Sequence, residues 1–95
     1  MIKHCIMIKL KDNSEKLKNE AKEKLLSMDG KVTMMREFEV HTDFLCSARS
    51  YDIFLSCVLE DETALGEYQN DPYHCEIKKY IKAVAESTAS VDSYI

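Results

Sequence analysis

The chain has 95 residues, with 13 Lys and Arg against 17 Asp and Glu and a formal net charge of −4. That length suits one domain spanning residues 1–95, because dividing it would leave neither half enough core. A hydrophobic fraction of 45% is too high for a disordered chain, and the acidic balance argues against a protein that coats nucleic acid through a basic surface.

Ile2 to Leu10 alternates, with Ile2, His4, Ile6, Ile8 and Leu10 on one face. Lys3, Cys5, Met7 and Lys9 share the other, so this strand is predicted to bury one face fully and the centre of the second. Asp12-Asn13-Ser14 supplies helix N-caps. Leu17, Ala21, Leu25 and Met28 then form one apolar stripe on a helix that Gly30 is expected to end. Thr33 to Asp43 returns to period two, with Met34, Arg36, Phe38, Val40 and Thr42 on one face, as in an outer strand. Phe44 to Ser50 reads as a loop. Asp52 to Leu59 is apolar on both faces and predicts a central strand.

Asp61 caps a short helix carrying Leu65 and Tyr68, and Asn70-Asp71-Pro72 breaks it. Pro behind an Asp N-cap restarts a helix that places His74, Ile77, Ile81 and Val84 on one stripe. Glu86 to Ile95 closes the chain as a strand.

The order β-α-β-β-α-β predicts a ferredoxin-like α+β fold, a four-stranded antiparallel sheet with helices on one face. The first and third strands are central in that topology. Helices on one side alone would leave Cys5, Met7, Phe54 and Val58 in water, and such a patch asks for a partner. The expected partner is a second copy, giving a homodimer whose sheets pack face to face as a dimeric α/β barrel.

No apolar run reaches the length of a membrane span, so no membrane partner is expected. The start, Met1-Ile2-Lys3-His4, lacks the apolar region and cleavage site of a signal peptide. Cys5, Cys46, Cys57 and Cys75 are widely spaced, and are read as reduced thiols of a cytoplasmic protein. Asp12, Asp43, Asp52 and Asp71 have no spacing that requires a cation, so no metal is assigned.

Several segments are familiar in combination. Met1-Ile2-Lys3-His4 opens a strand, Arg49-Ser50-Tyr51-Asp52 enters the third strand, Tyr68-x-x-Asp71-Pro72-x-His74 spans the helix break, and Val91-Asp92 lies in the end strand. Together, along the full length, they resemble the stress-responsive A/B barrel (Dabb) family. The resemblance implies a dimeric α+β barrel and, for most members, no assigned activity. One member is a plant polyketide cyclase that closes a tetraketide thioester by an intramolecular aldol reaction. Its Tyr–His catalytic pair matches Tyr68 and His74, and its N-terminal pocket His matches His4. Two positions depart: a pocket His of the cyclase aligns with Ile53, and the first His of the family string Tyr-x-x-His-Pro-x-His is Asp71. The wider group includes monooxygenases, isomerases and haem-degrading enzymes. The last rely on a pocket Trp, and this chain has none.

His74 shares a stripe with Ile77 and Ile81 and is expected to face the sheet. Imidazole suits a general base, since an ordinary pKa of ~6.5 leaves much of it neutral at pH 7. The competing reading is a core histidine satisfied by a carbonyl or by Tyr68. Tyr68 is either a hydrogen-bond donor to an enolate oxygen or an aromatic filling space between helix and sheet. His4, among Ile2, Ile6 and Ile8, either lines a hollow or bonds a neighbouring side chain. Ile6, Ile53, Leu55 and Ile77 complete the expected ligand-binding wall. Asp71 reads as a helix cap, Arg49 with Asp52 as a solvated pair, and Asp92 as a cap or pairing residue without chemistry.

Three functions follow from these residues. The first is a homodimer binding a small hydrophobic or polyketide-like molecule, acting if at all as a cofactor-free cyclase or isomerase with His74 as base and Tyr68 as donor. The second is a non-catalytic stress-responsive structural protein. The third is a cofactor-free monooxygenase.

Overall fold

The computed structural model describes residues 1–95. Its elements run β1 (Ile2–Leu10), α1 (Glu15–Leu26), β2 (Arg36–Thr42), β3 (Ile53–Leu59), α2 (Glu62–Asn70), α3 (Pro72–Val84) and β4 (Ala85–Tyr94). The four strands form one antiparallel sheet in the order β2-β3-β1-β4, so β1 and β3 are central. This is the ferredoxin-like α+β arrangement that the element order predicts.

Register fixes which residues share a face. Ile2, His4, Ile6 and Ile8 pair across to Leu59, Cys57, Leu55 and Ile53. With Val40 opposite Leu55, these make the sheet's contribution to the core, packed against Ala21, Leu25 and Met28 near α1 and Tyr68 and Ile77 on α2 and α3.

α1 starts at the Ser14 cap, whose hydroxyl accepts from the Leu17 amide at 3.4 Å. It stops at Leu26, before the expected end, and Gly30 at φ +81° serves a following turn in the left-handed region, where glycine carries no Cβ penalty. Met28 is nevertheless buried. The buried face also contains Lys18, outside the apolar stripe. Its Nζ donates to the Asp43 carbonyl oxygen at 3.0 Å and pairs with Glu15 at 3.0 Å, so the aliphatic stem is covered while the ammonium stays satisfied. That contact ties α1 to the loop before β3.

β2 is shorter than the alternation suggests. Arg36 pairs with Val58 while Glu39 pairs with Ser56, which inserts one extra residue, and Glu37 takes a φ of 47°. The bulge turns Arg36 to the helix-free face, away from Val40, where it bonds Glu60 at 2.8 Å. Two expectations about neighbouring β3 change as well. Val58, expected in water, is only 2% exposed beneath this polar edge. Asp52, expected in a solvated pair with Arg49, is buried and accepts from the Leu10 amide at 2.7 Å and Asn13 Nδ2 at 3.4 Å.

What remains apolar on the helix-free face is Cys5 and Met7 on β1, Phe54 on β3, and Ala89 and Val91 on β4. Val91 is 63% exposed, and beyond the sheet Phe44 in the β2–β3 loop is 90% exposed. A shallow hollow lined by Met7, Phe44 and Phe54 joins that loop to the sheet face. No helix is long and apolar enough to cross a membrane.

Candidate functional site

The break between α2 and α3 builds the site. Asp71 ends α2 and caps α3, accepting from the His74 amide at 3.0 Å, with Pro72 preset in the first helical position. His74 therefore sits in the first turn of α3, on its buried face with Ile77. At the break the Tyr68 carbonyl accepts the Asp71 amide in a long 3.3 Å capping bond and keeps a second lone pair for another donor. His74 Nδ1 donates to that oxygen at 2.8 Å. A carbonyl only accepts, so the proton is fixed on Nδ1 and the neutral ring carries its lone pair on Nε2.

Burial holds the His74 pKa below the ordinary value of 6.5, and the nearby Lys78 charge acts in the same direction; the Tyr68 carbonyl bond opposes them. The imidazole is thus kept neutral, with its Nε2 lone pair unprotonated, near neutral pH.

Tyr68 lies between two histidines. Its ring stacks on His74 with centroids 3.9 Å apart, and meets His4 edge-on at 5.2 Å. It is 1% exposed, and burial pushes its phenol pKa up, so the hydroxyl remains a donor. His4 extends from β1 behind Tyr68, and its Nδ1 bonds the Asp92 carboxylate on the neighbouring β4. Its Nε2 is buried with no hydrogen-bond partner. An orphaned buried polar atom costs about 1–3 kcal/mol and is a feature that functional sites retain. Cys57, opposite His4 on β3, has its thiol pushed up to about 12 by burial, which leaves it protonated and unsuited to nucleophilic attack.

A cavity of about 410 Å³ opens beside this stack, between α3 and the sheet. Tyr68, His74, Ile6, Leu55 and Ile77, all picked out from the sequence, line it. His4 stands outside the lining, behind Tyr68, and Ile53 lies further along the sheet opposite Ile8 and Thr42. Sequence reasoning assigned no chemistry to Asp92; its signal is its place opposite His4 in the β1–β4 register. It also passed over Lys78 and Lys82, which follow His74 at four-residue intervals and line the cavity with Ser87 and Thr88. No group of three or more His, Cys, Asp and Glu side chains is placed to hold a metal ion.

The arrangement is a neutral imidazole and a neutral phenol on the wall of an apolar hollow. Such a pair can remove a proton and stabilise the oxyanion that forms.

Comparison with known proteins gives the same architecture. The family model described as Stress Responsive A/B Barrel Domain matches residues 2–95. A dimeric protein of unknown function and ferredoxin-like fold from Bacteroides fragilis is similar, at 21% identity and a TM-score of 0.82 over 99% of this chain and 95% of its own. A Dabb family protein from Mesorhizobium loti superposes with a TM-score of 0.77 at 19% identity, over 99% and 95% of the two chains. Hydroxynitrile lyase from Passiflora edulis shares the fold at 14% identity, with a TM-score of 0.84 over 99% of this chain and 92% of that one. No curated protein matches the sequence.

Proposed function

This chain belongs to the stress responsive A/B barrel domain family, and from that membership we propose a homodimer that binds a small, largely apolar carbonyl compound and catalyses proton abstraction next to the carbonyl. The reading is carried by one observation: His74 Nδ1 is committed to the Tyr68 carbonyl, which leaves Nε2 as a free base on the wall of the cavity. Nε2 takes the proton, the C–H electrons move into the carbonyl, and the Tyr68 hydroxyl donates to the developing enolate oxygen. The enolate carbon then attacks a second carbonyl, whose oxygen takes the proton back from the imidazolium, as in an aldol cyclisation; or a conjugated enolate takes that proton at a different carbon, as in an isomerisation. Neither course needs a cofactor. His4, held by Asp92, backs the Tyr68 ring and keeps it against His74.

The dimer belongs to the same reading. Met7, Phe54 and Val91 form a wetted apolar face continuous with Phe44, and the Bacteroides fragilis neighbour with this fold is dimeric. Two such faces packed together would dry both. A cytoplasmic setting is supported by four free cysteines.

Deuterium exchange at the α-carbons of 2-octanone, followed by NMR in D₂O, tests the chemistry. The native protein is expected to accelerate exchange over buffer, and His74→Ala to return it to the buffer rate. A folded His74→Ala variant with undiminished exchange removes the base from His74. No acceleration by the native protein favours the non-catalytic structural alternative, and oxygen uptake with a quinol would point to the monooxygenase instead.

A further inference from the structure

Resting on the cavity as a binding site, we propose that its ligand is an amphiphilic carboxylate, with the apolar part inside and the carboxylate held at the mouth by Lys78 and Lys82. The chain is acidic, with 17 carboxylate side chains against 13 Lys and Arg. The cavity reverses that balance: its lining includes both lysines and no Asp or Glu. The two follow His74 at i+4 and i+8, so one stripe of α3 carries the base and then two cations toward the exposed end. Thr88 of β4, opposite Ile8 on the helix-covered face, lines the same cavity and adds a hydroxyl donor.

Neither cation is spent on a carboxylate of the chain. Lys78 Nζ donates to the Gln69 carbonyl at 2.9 Å, which orients the ammonium without neutralising it. The adjacent Lys79, outside the lining, pairs instead with Glu76 at 3.2 Å. What sets these two apart is their place, at the wall of a largely apolar hollow whose lining holds no carboxylate. A carboxylate there gains charge-assisted hydrogen bonds while its chain enters the space walled by Ile6, Leu55, Ile77 and Ile81.

Calorimetric titration with octanoate and with 1-octanol, which differ in the head group, separates this proposal from the one beneath it. Octanoate is expected to bind more tightly than 1-octanol to the native protein. The double variant Lys78→Gln, Lys82→Gln is expected to lose about fivefold to tenfold in octanoate affinity. Its 1-octanol affinity should be unchanged, which also reports that the variant is folded. Lys79→Gln should bind both as the native protein does. Equal binding of the two ligands, or no loss in the double variant, overturns the carboxylate assignment and leaves the apolar site standing. Failure of both ligands to bind the native protein overturns the site itself, and the assignment with it.

Discussion

The imidazole of His74 lies against the ring of Tyr68, planes 25° apart, while its Nδ1 holds the carbonyl oxygen of that same tyrosine at 2.8 Å. One residue therefore sets both the orientation and the tautomer of the other. The stack exists because the helix breaks at Asp71-Pro72, which brings the last turn of α2 over the first turn of α3. The protonation state of His74 and the packing of Tyr68 are consequently coupled.

Acidification should test that coupling directly. Burial lowers the folded-state pKa of His74 below 6.5, so in the window just beneath 6.5 the unfolded chain binds a proton that the folded one does not. Stability then falls as pH drops through that window, and is fully present above it. Urea unfolding between pH 7 and pH 5 is expected to show a smaller loss in His74→Gln than in the native protein. The acid limb of the exchange rate should lie below 6.5 for the same reason; a limb above it would contradict a buried neutral base.

Tyr68→Phe separates ring from hydroxyl. The aromatic stack survives, so thermal stability should change little. Loss of an oxyanion donor is expected to slow 2-octanone exchange by about 10²–10³-fold. Tyr68→Ala removes the ring between His4 and His74 and should cost about 3–5 kcal/mol in urea unfolding.

Asp71 caps α3 at the His74 amide. Asp71→Ala is expected to cost about 1 kcal/mol, with exchange reduced because the first turn of α3 loosens. Asp71→Ser restores a capping oxygen and should recover most of both; recovery of stability without recovery of rate would show that the carboxylate itself acts in the chemistry.

Asp52 anchors three segments, since its carboxylate takes the Leu10 amide at the end of β1 and Asn13 before α1, and its backbone oxygen takes the Asp43 amide. Asp52→Ala strands a buried amide and should cost about 1–3 kcal/mol, read as a lower urea midpoint. The cavity lies elsewhere, so octanoate affinity of the folded variant should be retained.

Val91→Asp places a charge on the wetted sheet face near Cys5. Sedimentation velocity is expected to show a dimer for the native protein and a single subunit for the variant at the same concentration. A native protein that sediments as a monomer would leave Met7, Val91 and Phe44 exposed and remove the case for paired sheets.

Much of this was legible in the order of residues. Period two in Ile2–Leu10 and Ile53–Leu59, apolar on both faces, identified the central strands. The Asp71-Pro72 signal located the helix break because capping is local chemistry, decided by a carboxylate and the amides three residues on. The stripe through His74 and Ile77 turned both toward the sheet. The pairing of Tyr68 with His74 came from the family resemblance, and His4 and Ile53, grouped with the same wall, fall outside the cavity lining.

Tertiary structure alone decided the rest, because each remaining feature joins residues far apart in the chain. His4 meets Asp92 across 88 positions, a pairing set by the β1–β4 register, which hydrophobic alternation does not encode. The bulge at Glu37 inverted the facing of Arg36, since one inserted residue exchanges the two faces of a strand. Asp52 and Lys18 became buried polar anchors only when loops converged on them. Local periodicity determined which elements form and which way they face; the proton on His74 Nδ1, the orphaned nitrogen of His4 and the cations at the cavity mouth were fixed by packing, which acts on distances in space rather than spacing in sequence.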